Sequence, residues 1–206
     1  MHRRSFLVAL GLLPLAGSEI LAASTNPLKR QPLLIGLSNA GGHLVDAMAR
    51  AGYIRKPISI EMSPVAAAFE RHSAALLNEA STERTPHAKI FSKLIKQRNA
   101  HFVFVAGLGG KRSTYLAALA YRQMKKEGLS FEMILTTPFS FEGTKRVARA
   151  RAFQEAFTND PAITYLHLEQ SLRSGSRTIK QTFEEDLPKM LSEVCEGKGV
   201  FLSKST

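Results

Sequence analysis

A chain of 206 residues with 44% hydrophobic and 22% charged residues is large enough to form one folded domain, and this composition excludes a largely disordered protein. The formal net charge of +11 favours anionic partners such as nucleotide phosphates, nucleic acid or acidic lipid, unless the charges only solvate the surface. The single cysteine, Cys195, excludes an intrachain disulfide and a cysteine metal cluster, and the six histidines show no metal-ligand spacing.

Residues 1–25 have the layout of an export signal. Two arginines precede an apolar run at residues 6–17, small residues follow it, and the run is too short for a comfortable membrane span. The letters RRSFL at residues 3–7 resemble the core of a twin-arginine signal. We therefore predict an export or membrane-tethering segment, through which the chain would contact a membrane, and then a linker at residues 26–32. The alternatives are an apolar helix at the front of the domain or a start codon assigned too early.

Short apolar runs alternate with amphipathic stretches along the rest of the chain. The runs that predict strands are PLLIGL at 32–37, PISIEM at 57–62, AHFVFVAGL at 100–108, FEMILTTPF at 131–139 and AITYLHL at 162–168. The stretches that predict helices are 40–53, most of 64–98 with a break near Thr85 and Pro86, 113–126, 144–160 and 177–195, the last with Pro188 inside it.

This alternation predicts an α/β domain with a three-layer, Rossmann-like arrangement, in which a parallel sheet carries helices on both faces. The domain is expected to cover residues 33–195, with a flexible tail at 196–206. In such sheets ligands bind beyond the carboxyl ends of the strands, where the loops between strands and helices converge.

Two glycine-containing loops fall at predicted strand ends of this kind. Glycine lets backbone N–H groups approach an anion, helix N-termini attract it, and hydroxyl and cationic side chains add donors and charge. The alternative is that the glycines only allow a steep turn before a helix. The candidate phosphate-binding residues are Gly36, Ser38, Asn39, Gly41, Gly42 and His43 in the first loop, and Gly107, Gly109, Gly110, Lys111, Arg112, Ser113 and Thr114 in the second.

The segment TTPFSFEGTKR at residues 136–146 is not explained by general propensities. It resembles the pattern T-K-P-F-x-F-E-G-x-K-R of FtsZ, the bacterial tubulin-like division GTPase, with Thr137 in place of one lysine. The spacing back to Gly107 fits this family without a gap, and residues 36–48 resemble its first loop. The resemblance covers roughly residues 33–194 and implies the nucleotide-binding domain of the FtsZ and tubulin fold.

The resemblance also implies a ligand and partners. Glu142 and Arg146 would contact the sugar and phosphates of GTP or GDP, and Phe183 would stack on guanine, with Mg²⁺ present only together with the nucleotide. The resemblance further implies a role related to cell division and a bacterial cytoplasmic location. The partners would be FtsZ-like filaments or further copies of the chain. The twin-arginine-like segment favours the inner membrane or periplasm as the alternative location.

Departures from the family pattern limit the expected chemistry. In the second loop, three family glycines are replaced by Lys111, Ser113 and Tyr115. In the first loop, three glycines are replaced by Ser38, Asn39 and Ala40, and the asparagine is replaced by His43. Residues 64–98 lack the glycine-rich loop that meets the γ-phosphate in the family. Leu187 stands where an asparagine reads guanine, which removes a hydrogen-bond partner for the base. In the family an N-x-D loop after the central helix completes the neighbouring subunit's site, and a second domain follows. The tail GKGVFLSKST contains no aspartate and that domain is missing, so the resemblance implies little or no GTP hydrolysis and we assign no catalytic residue.

Three functions remain open from the sequence. The first is a diverged FtsZ-like domain that binds a guanine nucleotide or another phosphate compound. The second is an FtsZ-like pseudo-GTPase that serves as a protein-interaction module, with its loops as relics. The third is a basic module that is exported or tethered at the membrane. No specific nucleic acid is predicted, because aromatic residues are not interleaved with the basic pairs.

Overall fold

The computed structural model of the chain describes residues 32–55, 57–60, 91–173 and 178–198. The predicted export segment, residues 26–31 of the predicted linker, most of the predicted helical stretch from residue 64 and residues 199–206 of the predicted tail lie outside these residues. The start of the predicted tail, at residues 196–197, instead belongs to the last helix, and Lys198 Nζ donates to Glu132 Oε2 at 2.5 Å. Among the helices that the structure describes, none combines the length and the apolar character that crossing a membrane requires.

Strands and helices alternate as predicted. The strands are β1 (Pro32–Leu37), β2 (Ile58–Ile60), β3 (His101–Gly107), β4 (Phe131–Thr137) and β5 (Ile163–His167). The helices are α1 (Ser38–Arg50), α2 (Ser92–Ile95), α3 (Lys111–Lys126), α4 (Thr144–Ala156), α5 (Leu168–Arg173), α6 (Ile179–Gln181) and α7 (Leu187–Gly197). A 3₁₀ turn covers Ser140–Glu142, and a π-turn covers Thr182–Asp186 between α6 and α7.

The five strands form one parallel sheet in the order β2-β1-β3-β4-β5. In its central part Gly36 lies opposite Val105, and Val105 lies opposite Ile134. The chain leaves β1 for β2 on one side and returns to β3 on the other, so the strand order reverses between β1 and β3. Open α/β sheets bind ligands at such a switch point, outside the carboxyl ends of the strands.

Helices cover both faces of the sheet, which confirms the predicted three-layer α/β arrangement. Because successive strand side chains point to opposite faces, Val103 packs with α1 and α7 on one face, while Phe104 packs with α3 and α4 on the other. Cys195 is buried in the first of these cores, and burial raises the pKa of its thiol to about 12, so the side chain acts as a neutral apolar group.

The last predicted helix is interrupted just before its proline. The sequence predicted one helix over residues 177–195, but α6 passes into the π-turn, and α7 begins at Leu187 with Pro188 in its first turn. Proline has no N–H to donate to the carbonyl four residues earlier, and the wider turn before Pro188 removes the need for that bond.

Helix α3 begins at Lys111 rather than at Ser113, since the Thr114 N–H already donates to the Gly110 carbonyl at 3.0 Å.

At the end of the sheet away from the strand carboxyl ends, Asp160 ties α3 to the turn that enters β5. Its carboxylate accepts the Tyr121 hydroxyl at 2.5 Å and the Ala162 N–H at 2.9 Å, and lies 2.9 Å from the Lys125 ammonium. Burial raises the pKa of Asp160, but these hydrogen bonds and the Lys125 charge outweigh burial and hold the pKa below its usual range. The ionised carboxylate therefore stabilises the folded state.

We expect Asp160→Asn to lower the free energy of unfolding by about 1 to 2 kcal/mol at pH 7, measured by urea denaturation. Because the folded pKa of Asp160 is depressed, the difference from the natural chain should shrink as the pH falls below about 4. The control is Glu184→Gln, which removes an exposed pair with Lys180 and should cost less than about 0.5 kcal/mol. Equal effects of the two substitutions would contradict the role of Asp160.

Candidate functional site

A cavity of about 290 Å³ lies at the carboxyl edge of the sheet, at the switch point between β1 and β3. Its walls come from the loops that follow β1, β3, β4 and β5 and from the π-turn. The lining residues are Ser38, Asn39, Ala40, Gly107, Leu108, Gly110, Ser113, Thr136, Thr137, Pro138, Glu142, Arg146, Leu168 and Phe183. The segments that the sequence singled out therefore meet around one space.

The glycines of the first loop bring helix α1 against the sheet. A Cβ at Gly36 would lie 2.4 Å from the Gly41 carbonyl oxygen, and a Cβ at Gly41 would lie 2.2 Å from the Val105 carbonyl oxygen. Both distances are far inside van der Waals contact, so no other residue fits without moving the helix. Packing explains these two buried glycines, and neither lines the cavity.

Ser38 opens helix α1 at the cavity wall with a backbone φ of 62°, in the left-handed region that favours glycine. It occupies a position where the FtsZ pattern has glycine. A non-glycine residue in this region costs of order 1 kcal/mol or more, which other contacts must offset. The first loop thus has a glycine-type backbone conformation at a position that carries serine.

The second loop is held by hydrogen bonds from its own surroundings. Gly109 has a φ of 92°, its N–H donates to the Thr114 hydroxyl oxygen at 2.9 Å, and its carbonyl accepts the Arg149 Nε–H at 2.8 Å. The Ser113 hydroxyl donates to the Gly110 carbonyl at 3.3 Å. The Gly109 N–H is therefore used inside the loop, while Gly110 and Ser113 line the cavity.

Two helix N-termini face this region without side-chain caps. Helix α1 follows Leu37 and helix α3 follows Gly110, and neither helix has a side-chain cap bond or an acidic residue in its first turn. The first N–H groups of an α-helix have no acceptor within the helix, and the helix dipole adds a partial positive charge there. The pair of N-termini is consequently suited to an anion such as phosphate.

Glu142 and Arg146 form an ion pair at the cavity wall. The Arg146 guanidinium donates to Glu142 Oε2, and Glu142 Oε1 accepts the Phe139 N–H at 3.1 Å. The Ser140 N–H donates to the Glu169 carboxylate at 2.8 Å, which fastens the same turn to α5. The Arg146 side chain is 52% exposed, so its guanidinium is accessible to a ligand from the cavity side.

Phe183 provides an aromatic wall. Its ring lies edge-on to the buried Phe139 ring, with 6.5 Å between centroids and an interplanar angle of 66°.

Leu187 is fully buried and does not line the cavity. Tyr115, which follows the second loop, is buried in the core on the α3 side, where burial raises the pKa of its hydroxyl. It does not line the cavity.

The structure divides the sixteen predicted site residues into two groups. The half that lines the cavity is Ser38, Asn39, Gly107, Gly110, Ser113, Glu142, Arg146 and Phe183. The other half does not line the cavity. It consists of Gly36, Gly41, Gly42, Gly109 and Thr114, which belong to the loops and helix starts, together with His43, Lys111 and Arg112.

Sequence reasoning missed several lining residues. Thr136, Thr137 and Pro138 belong to the segment that carried the resemblance, and the available signal was their place at the carboxyl end of β4, where Thr136 and Thr137 end the strand and Pro138 follows it. Thr137 Oγ1 lies 3.3 Å from His167 Nδ1, so it joins the ends of β4 and β5. Leu168 follows β5 and carries no chemical signal in the sequence.

Neither a search for metal-binding groups nor comparison with known proteins assigns a function to the cavity. Within the described ranges, no group of three or more histidine, cysteine, aspartate or glutamate side chains is placed to hold a metal ion. No protein-family model and no curated protein matches the chain. Membership of the FtsZ family therefore stays a prediction from the residues quoted above.

We expect Gly41→Ala to lower the free energy of unfolding by about 2 to 3 kcal/mol, because the new methyl group meets the Val105 carbonyl. The adjacent Gly42→Ala is the control, since its Cβ would meet only the Ser59 Cβ at an ordinary 3.5 Å. It should be neutral or stabilise by up to about 1 kcal/mol through helix propensity. Chemical denaturation checks both, and similar effects of the two would show that the helix is not in this close contact.

For Ser38→Gly we expect a gain of up to about 1 kcal/mol in the free energy of unfolding, because glycine adopts a positive φ without cost. The control is Asn39→Gly, one residue further along α1, where glycine should lose a few tenths of a kcal/mol of helix propensity. Thermal denaturation compares the pair. A loss at position 38 as large as that at 39 would contradict the left-handed backbone conformation.

Proposed function

We propose that this chain is a diverged FtsZ-like domain whose cavity binds a guanine nucleotide, GDP or GTP. The observation that carries the proposal is that one cavity gathers two uncapped helix N-termini, the Glu142–Arg146 pair and the Phe183 ring. These are the three chemistries that a nucleotide requires: anion binding, contacts to the sugar and an aromatic partner for the base.

The phosphates would lie between the N-termini of α1 and α3. Gly107 and Gly110 lie on this side of the lining, and the Arg146 guanidinium supplies a full positive charge. A charge-assisted hydrogen bond from arginine to phosphate is stronger than one between neutral groups. To bind phosphate, Arg146 must share or leave Glu142, and a ribose hydroxyl that donates to Glu142 would offset that loss.

The base would lie against Phe183, with Pro138 and Leu168 as further apolar wall residues. Guanine is proposed from the FtsZ resemblance. Leu187 gives no hydrogen bond to a base edge, so we expect weaker discrimination between guanine and adenine than an amide at that position would provide.

The proposal covers binding and assigns no residue to hydrolysis. Among the described residues that line the cavity, Glu142 is the one carboxylate, and it already accepts hydrogen bonds from Arg146 and from the Phe139 N–H. A carboxylate held in this way is a poor candidate for positioning an attacking water. Mg²⁺ is proposed only as a companion of the bound phosphates.

A second candidate function is a pseudo-GTPase that acts as a protein-interaction module. Packing explains Gly36 and Gly41, and the Gly109 N–H donates within its own loop, so these features need no nucleotide. In that case a substitution in the cavity wall would leave partner binding unchanged. The export or tethering role of residues 1–25, and a location at the membrane or in the periplasm, remain predictions from the sequence.

Titration of the full chain with GDP, GTP and ATP, by calorimetry and thermal shift, tests the first function. We expect GDP or GTP to raise the melting temperature with concentration, since it binds the folded form. Arg146→Ala should weaken binding by about tenfold or more. The control is Arg151→Ala, an exposed arginine of the same helix that does not line the cavity.

Absence of heat and of thermal shift with all three nucleotides at millimolar concentration would reject nucleotide binding and favour the protein-interaction module. Equal losses for the two arginine substitutions would place the ligand away from this cavity.

A further inference from the structure

Phe141 presents an aromatic ring to solvent beside the cavity. Its side chain is 65% exposed, and its ring stacks on the buried Phe139 ring with 4.9 Å between centroids and an interplanar angle of 9°. A ring supported in this way on one face can accept another flat group on the other. The fold therefore holds a rigid stacking surface in the 3₁₀ turn, separate from the Phe183 wall of the cavity.

Cationic residues occupy the N-terminal turns of α3 and α4, and the 3₁₀ turn that carries Phe141 directly precedes α4. The two helix starts adjoin, because the Arg149 Nε–H donates to the Gly109 carbonyl, and a Cβ at Gly109 would lie 2.9 Å from the Arg146 carbonyl oxygen. The basic patch consists of Lys111, Arg112, Lys145, Arg146 and Arg149.

In the part of the chain that the structure describes, two acidic side chains accept hydrogen bonds at this patch or at the 3₁₀ turn beside it. Glu142 pairs with Arg146, and the Glu169 carboxylate accepts the Ser140 N–H at the 3₁₀ turn. Among these described residues, the five cations and two carboxylates sum to a charge of +3. Lys111 and Lys145 are exposed, so the patch is open to an extended anion.

We propose that the basic patch and the Phe141 ring bind single-stranded nucleic acid, with the phosphate backbone on the patch and an unpaired base on the ring. An aromatic stacking surface combined with a basic track is the arrangement by which proteins hold single strands without sequence preference. Residue spacing alone predicted no specific nucleic acid. The structure adds that the helix starts carrying the cations adjoin, and that the turn carrying the exposed ring leads directly into one of them.

Other anionic partners fit the patch less well. A lipid surface needs several protruding apolar groups, whereas the exposed large hydrophobic residues among those described are Phe141 and Ile179. An acidic peptide would use the cations and leave the flat ring without a stacking partner. A double helix keeps its bases stacked inside, so it also leaves the ring unused. The single strand uses both features.

This inference goes beyond the proposed nucleotide function, and the experiment keeps the two apart. The full chain is titrated against a fluorescein-labelled thymidine oligonucleotide of about 15 nucleotides, and fluorescence anisotropy is followed over a range of salt concentrations. The substitutions avoid Arg146, which also lines the cavity, so the thermal shift with GDP serves as an independent readout.

We expect Phe141→Ala to weaken oligonucleotide binding by about tenfold, while Ile179→Ala, at the other exposed hydrophobic residue, leaves binding unchanged. Lys145→Gln should lower the slope of log affinity against log salt by about 0.7, because one phosphate contact is lost. Lys189→Gln is its control, since Lys189 lies on α7 and is 3.9 Å from Glu193.

Three outcomes would overturn the proposal. The first is no binding of the oligonucleotide at low salt. The second is equal binding by the Phe141 and Ile179 substitutions, or equal salt slopes for the Lys145 and Lys189 substitutions, which would indicate a general effect of net charge. The third is Phe141-dependent binding to vesicles of equal parts phosphatidylcholine and phosphatidylglycerol without binding to the oligonucleotide. None of them affects the nucleotide test.

Discussion

Helix α1 lies so close to the sheet that no Cβ fits between them at residues 36 and 41, and the cavity depends on this contact. The contact sets the start of α1 directly over the carboxyl end of β1, beside the start of α3 over the end of β3. Because the strands are parallel, the loops after β4 and β5 reach the same edge and complete the wall. A larger side chain at either glycine would displace α1 and separate the two helix N-termini.

The second loop is a fixed turn although three of its residues, Lys111, Ser113 and Tyr115, are not the glycines that the FtsZ pattern would predict. Gly109 retains the positive φ that the turn requires, and the Thr114 hydroxyl and Arg149 guanidinium hold its two backbone polar groups. This internal bonding stabilises the loop but removes one N–H from any ligand. The loop is thus a fixed turn in which the remaining N–H groups of the α3 start are the donors suited to an anion.

Much of this architecture follows from local sequence. The apolar runs of β1, β3 and β4 and the glycines after them predict a parallel sheet with loops that converge at one edge, and the described fold agrees. Four features could not be predicted. They are the positive φ of Ser38, the π-turn before Pro188, the burial of Tyr115, and the hydrogen bond from the Gly109 N–H to the Thr114 hydroxyl. Serine does not favour a positive φ, and the burial of Tyr115 depends on contacts between segments distant in sequence. The π-turn and the Gly109–Thr114 bond depend on local backbone geometry that the residue types do not specify.

Hydrogen–deuterium exchange of the full chain with and without GDP tests the central claim, that this cavity is a nucleotide site, most directly. We predict slower exchange with GDP at the starts of α1 and α3 and in the turn around Glu142, with no change around Asp160 at the far end of the sheet. Slower exchange confined to other parts of the chain, or none at saturating GDP, would contradict the account.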